Sequence, residues 1–201
     1  GRKDVVIFEK FLSPGRIADI VDEVTVVQGD VQEPLELLDA MKQHEIDSVM
    51  HLAFIAGTEE PGKALSYLRF QTGATANVYE CARLAGIKRV VNASSHAVYG
   101  PRFDRPVTED DAPRPGSQLY AACKVWTENV AENYNARYGM EIVSLRMQSA
   151  YGIGRVARAR DWAAGLLNPD GWKKPNYRAN AELAALGQAV SMPADEEIDD
   201  F

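Results

Sequence analysis

Long apolar runs are absent from this 201-residue chain. None approaches the roughly 20 consecutive apolar residues that a membrane-spanning helix needs, so an integral membrane protein is excluded. Cysteine is scarce: Cys81 and Cys123 cannot build a disulfide scaffold, and a reduced cytoplasmic compartment fits them. No cluster of His, Cys, Asp or Glu has metal-ligand spacing, so no metal is expected. The start, Gly1-Arg2-Lys3-Asp4, lacks both an initiator Met and the apolar stretch of a signal peptide. A basic surplus is absent too, because 22 Lys and Arg face 29 Asp and Glu. Five of the seven net negative charges sit in the tail, at Asp195, Glu196, Glu197, Asp199 and Asp200. The body is therefore nearly neutral, which argues against a nucleic-acid binder working through bulk charge. The tail reads as a solvated end. What is present, 46% hydrophobic and 25% charged residues, is the composition of an ordinary globular protein. The length suits one domain of about 150 residues with an appendage.

Apolar runs alternate with helical periods, the pattern of a parallel α/β sheet. Val5–Phe8 reads as a short buried strand, Val24–Val27 as a second and Ser48–Ala53 as a third. Arg89–Ser94 and Glu141–Arg146 follow as the fourth and fifth. Helical spacing spans Glu33–His44 and Gly62–Ala85, the latter closed by Gly86. Four prolines between Pro101 and Gly116 mark a surface loop. Ser117 is expected to cap a helix that runs to Tyr138 and stops at Gly139. An Ala-rich amphipathic piece at Ala181–Val190 is also expected to be helical. The order predicts a doubly wound, Rossmann-type α/β fold. Residues 1–150 would be the nucleotide-binding domain and residues 151–201 a short, partial substrate-binding segment.

Chemistry concentrates in two segments. Tyr120-Ala121-Ala122-Cys123-Lys124 puts a phenol and an ammonium at i and i+4 on one helical face. A fixed cation favours phenolate over phenol, and such a tyrosine can exchange a proton with a substrate hydroxyl. Ser94-Ser95-His96-Ala97-Val98-Tyr99-Gly100 follows directly on a strand, where side chains face the ligand crevice of an open α/β sheet. The Ser95 hydroxyl can either hold the substrate oxygen that Tyr120 titrates or cap the turn. His44 reads as a surface cation at a helix end and His51 as a packed core histidine. The stripe Leu119, Cys123, Trp126 and Val130 reads as core or interface, and Arg155 as a phosphate contact or a solvated side chain.

Ser-Ser-x-x-Val-Tyr-Gly, Tyr-x-x-x-Lys, Leu145-Arg146 and Tyr151-Gly152-Ile153-Gly154 together resemble the extended short-chain dehydrogenase/reductase superfamily. Within it the chain is similar to the NAD-dependent epimerase/dehydratase family acting on nucleotide sugars, over roughly residues 1–155. Gly29-Asp30-Val31, His51-Leu52-Ala53 and Cys81–Arg89 extend the likeness. The resemblance implies NAD as cofactor, with Ser95 and Tyr120 as catalytic hydroxyls and Lys124 bonding the nicotinamide ribose beside Tyr120. It implies that Glu9 takes the adenosine ribose hydroxyls, an acid there favouring NAD over NADP. Asp30 and Val31 would border the adenine, while Leu52 and Ala53 would line the cofactor path. A homodimer in the cytoplasm is implied as well.

Departures narrow the expectation. The family opens with a strand and a Gly-rich turn that hold the pyrophosphate, and no such motif precedes Val5. The first β-α unit is therefore expected to be missing, and the chain truncated. Dehydratases carry an acidic pair after the catalytic hydroxyl, where this chain has His96 and Ala97. That disfavours elimination and leaves epimerisation or oxidation of a sugar or nucleotide sugar; His96 reads as a loop histidine bonded to its turn. Gln71 stands where the family usually has Asn, Ser149 where Asn commonly meets substrate, and Phe54 where a small residue is usual. The alternatives are a non-catalytic binding or sensor protein on a degenerate site, and a reductase of small carbonyl compounds.

Overall fold

Among the described residues, five strands and three long helices follow one another in the order β, β, α, β, α, β, α, β. The computed structural model describes residues 4–11, 17, 20–55, 62–100 and 105–148, all within the unit Gly1–Ser149. Strand β1 (Val5–Glu9) pairs in parallel with β2 (Val24–Gln28), Val5 opposite Val24 and Glu9 opposite Gln28. Strand β3 (Ser48–His51) pairs with β4 (Arg89–Ser95), and β4 with β5 (Glu141–Met147), again in parallel. Met50, Val91 and Val143 share one register row, as do His51, Asn92 and Ser144.

Parallel pairing demands long crossovers, and helices supply those from β3 to β4 and from β4 to β5. Helix α1 (Pro34–Gln43) starts on a proline at its first position, where the lost N–H was unpaired anyway. It buries Leu37, Ala40 and Met41 against α2 (Ala64–Leu84). Gly86, at φ 79°, ends α2 in the left-handed region that a side chain disfavours. Helix α3 (Leu119–Tyr138) packs beside α2 and closes on Gly139 at φ 64°. Leu37, Met41, Val78, Tyr79, Ala82, Val90, Ala131 and Ile142 form the core between helices and sheet. Each fully buried Val or Leu there contributes about 1.5–3 kcal/mol.

The expected parallel α/β class is present, and the structure corrects details within it. Among the described residues β1 and β2 form one sheet, and β3, β4 and β5 another. In the doubly wound order one strand stands between these two sets, and no described strand occupies that place. The same split explains why β1 is not buried, with Val5 44% exposed, and why Met50 on β3 is 63% exposed. Strand β3 ends at His51 rather than Ala53. Gln118, not Ser117, is the N-cap of α3, and no side chain bonds the first helical amides. Residues 149–201, including Ser149, Tyr151–Gly154, Arg155, Ala181–Val190 and the acidic tail, lie outside the described residues.

Candidate functional site

Glu9, Asp30, Leu52 and Ser95 stand at or just past the carboxyl ends of parallel strands, where open α/β sheets hold ligands, and Tyr120 and Lys124 lie on the helix that follows β4. Ser95 ends β4 in extended conformation, and its Oγ accepts a hydrogen bond from the Ala97 amide at 3.2 Å. The capping role is thus real. A hydroxyl offers two lone pairs and one proton, so capping leaves Ser95 able to donate to a substrate oxygen. The single helical turn His96–Tyr99 ends at Gly100, with φ 81° and ψ −169°, a conformation essentially restricted to glycine. The loop before α3 then folds back on this turn: the Arg114 amide donates to the Val98 carbonyl at 2.7 Å. Arg105 pairs with Asp111 within the loop, and Asp111 also accepts from the Thr108 amide at 2.8 Å. The loop thereby delivers Leu119 and Tyr120 as the first turn of α3.

Lys124 follows one turn later. It is buried, and its Nζ donates to the Ala93 carbonyl at 2.6 Å, two residues before Ser95 on β4. The same Nζ lies 5.7 Å from the Tyr120 ring centroid. Burial holds the Lys124 ammonium below the usual lysine range. One side chain thus ties α3 to the strand that carries Ser95 and places a cation beside Tyr120.

At the end of β1, Glu9 is exposed, with Oε1 accepting from the Phe11 amide at 3.1 Å. Asp30, just past β2, accepts from Lys10 Nζ at 2.5 Å and from the Gln32 amide at 2.9 Å. The Lys10 hydrogen bond, more than any other effect, holds the Asp30 carboxyl below the usual range. The Val31 carbonyl accepts from Asn77 Nδ2 at 3.0 Å, fixing this turn to α2. Leu52, Ala53 and Phe54, past the end of β3, are exposed.

Gln71 is buried and donates to the Ile55 carbonyl at 3.2 Å and to the Tyr67 hydroxyl. His96 departs from its expected role: it is exposed in the helical turn, and its Nδ1 reaches the Met147 carbonyl of β5 at 3.4 Å. In the α3 stripe, Cys123 is buried while Trp126 is 37% exposed. Burial pushes the thiols of Cys81 and Cys123 up, as suits packing residues.

Sequence reasoning missed a buried polar layer between the sheet and the helices. Asn92 Nδ2 donates to Thr127 Oγ1 at 3.3 Å and to Ser144 Oγ at 3.2 Å. Ser94 donates to Glu128, and Glu128 pairs with Arg146 at 2.8 Å. The spacing Lys124 to Glu128, i to i+4 on the face of Tyr120, was the available signal. Among the described residues no group of His, Cys, Asp and Glu could hold a metal ion, and no helix is long and apolar enough to cross a membrane.

His51 belongs to this layer, with Nε2 3.1 Å from Thr75 Oγ1. Burial first, and the Lys124 charge second, push its imidazole from 6.5 down to about 4. The unfolded chain therefore binds more protons than the fold between these values, so stability falls as pH falls through that window. At about 1.4 kcal/mol per unit, His51 accounts for a loss of about 3 kcal/mol. Urea denaturation at a series of pH values checks this. The expected result is a shallower acid loss in His51→Gln, and an unchanged slope would contradict the assignment.

A model of the NAD dependent epimerase/dehydratase family matches residues 2–166. The chain is 36% identical to a UDP-glucose 4-epimerase of Azospirillum brasilense over 161 residues, covering 78% of this chain and 46% of that protein. It is 34% identical to UDP-glucuronate 4-epimerase 2 of Arabidopsis thaliana over 134 residues, covering 64% of this chain and 30% of the relative. Among solved structures, the dTDP-glucose 4,6-dehydratase DesIV of Streptomyces venezuelae superposes with a TM-score of 0.71 at 22% identity, over 83% of this chain and 53% of that one. The NAD complex of a Brucella ovis UDP-glucose 4-epimerase gives 0.61 at 25% identity, over 70% and 43%. The chain spans less than half the length of these curated relatives.

Proposed function

The chain belongs to the NAD dependent epimerase/dehydratase family, and from that premise we propose that it carries the cofactor-facing and proton-transfer residues of an enzyme that epimerises or oxidises a nucleotide sugar with NAD. The observation that carries the reading is Lys124, whose ammonium bonds the Ala93 carbonyl two residues before Ser95 on β4 and lies 5.7 Å from the Tyr120 ring centroid. His96 and Ala97 follow Ser95, and alanine supplies no acid or base, so the reading favours epimerisation over elimination.

The residues present fit NAD chemically. Glu9 offers an exposed carboxylate for the hydroxyls of the adenosine ribose, and Asp30 and Val31 form the turn proposed to border the adenine. Leu52 and Ala53 are exposed just past the end of β3, and Lys124 offers a buried ammonium for the second ribose. When bound, NAD supplies the hydride acceptor. Tyr120, acting as the phenolate that the Lys124 ammonium beside it favours, takes the proton from the substrate hydroxyl and becomes the neutral phenol, and Ser95 donates a hydrogen bond to the reacting oxygen. The reading also places a second copy against the exposed side of α3 at Trp126.

Calorimetric titration of the 201-residue chain tests the cofactor half. NAD is expected to bind at least about tenfold tighter than NADP, because Glu9 repels a 2′-phosphate. Glu9→Ala is expected to narrow that ratio. Equal binding of the two nucleotides, or of neither, would remove the cofactor reading and leave a degenerate binding protein.

A further inference from the structure

We infer that Glu128 and Arg146 are a positioning pair for Ser95, an inference that rests on the catalytic reading of Ser95 and Tyr120. Tyr120, Lys124 and Glu128 lie at i, i+4 and i+8 on α3, so they share one face of the helix. The first two meet the proposed chemistry, and the third clamps the strand that brings Ser95 to it. Glu128 is buried and accepts a hydrogen bond from Ser94 Oγ. It also accepts from Arg146 Nη2 at 2.8 Å and from Arg146 Nε at 3.2 Å. Arg146 on β5 donates onward to the Tyr99 hydroxyl at 2.8 Å and to the Glu109 carbonyl at 3.1 Å. Its guanidinium lies 4.8 Å from the Tyr99 ring centroid.

Ser94 and Tyr99 bracket Ser95, one immediately before it and the other at the end of the turn it caps. Both are fastened to the same ion pair. The Glu109 carbonyl adds the loop that leads into Tyr120, so one pair joins β4, the turn, the loop, α3 and β5. Net stability is a weak reason for such a pair, because apolar residues of similar volume usually serve a buried site as well or better. Geometry remains: a bidentate guanidinium–carboxylate contact sets direction as well as distance.

The test separates position from stability. Glu128→Leu with Arg146→Met removes both charges together and leaves neither orphaned, and Glu128→Gln is the second variant should the double one fold poorly. Amide hydrogen exchange is measured along the whole chain, with turnover of a nucleotide sugar measured beside it. Exchange is expected to rise at least about tenfold at residues 94–99 and 107–111 while amides of α2 at 74–82 keep their wild-type rates. Turnover is expected to fall at least about tenfold at unchanged KM. Unchanged exchange at residues 94–99, or a uniform rise along the chain, would overturn the inference and make the pair structural only. Full turnover in Tyr120→Phe would sink the catalytic reading instead, leaving the exchange result standing as a measure of the clamp.

Discussion

Replacing Tyr120 with Phe is expected to lower the proposed nucleotide-sugar turnover by about 10²–10⁴-fold and to leave the affinity for NAD within about twofold. The magnitude is that of a positioned acid–base group. The selectivity follows from the site: Phe keeps the ring 5.7 Å from the Lys124 ammonium and removes only the hydroxyl. Lys124 stays anchored on the Ala93 carbonyl, so the proposed ribose contact survives. Parallel calorimetry and product analysis check the two halves of this expectation. Loss of both binding and turnover would mean that Tyr120 holds the cofactor rather than the proton. Turnover within tenfold of wild type would remove its catalytic role.

Gly100→Ala is expected to have the next largest effect, through the loop rather than the chemistry. Its φ of 81° and ψ of −169° alone cost a side chain about 1–3 kcal/mol. A Cβ there would also lie 2.1 Å from the Arg114 carbonyl oxygen, which is backbone and cannot swing aside. The loop must move, the Arg114–Val98 hydrogen bond breaks, and Tyr120 loses its alignment six residues on. The thermal midpoint is expected to fall by about 4–10 °C. Gly139→Ala is the control: φ is 64° there too, but nothing lies within 4 Å of the added carbon. It meets only the conformational cost of about 1 kcal/mol. Equal midpoints for the two variants would show that the turn and loop are not in tight register.

Much of this architecture is legible in the sequence, because strand and helix periods are local properties. Val24–Gln28, Arg89–Ser95 and the helix ending at Gly139 follow from apolar runs and a left-handed cap. The Tyr120–Lys124 pair is legible for the same reason, being one turn apart. What local pattern cannot supply is which strands meet. Met50 looks like a buried residue of a parallel strand, and its exposure depends on the neighbour of β3. Nor does spacing reveal that Lys124 reaches Ala93, 31 residues away, or that Arg146 reaches back to Tyr99 across 47. Such contacts are products of the crossovers, and the polar layer around Glu128 is built from them. Ser117 misled for a simpler reason: two residues before α3 it sits too far out to cap it, and Gln118 takes the place without a side-chain bond.

The central claim is that Tyr120 moves the substrate proton at a site where the sugar changes configuration. Chromatographic separation of C4 epimers after the chain is incubated with NAD and either UDP-glucose or UDP-galactose tests it most directly. The wild-type chain is expected to bring both sugars to one common mixture, and Tyr120→Phe to leave each as supplied. Interconversion that proceeds equally in both proteins, or in neither, would contradict it.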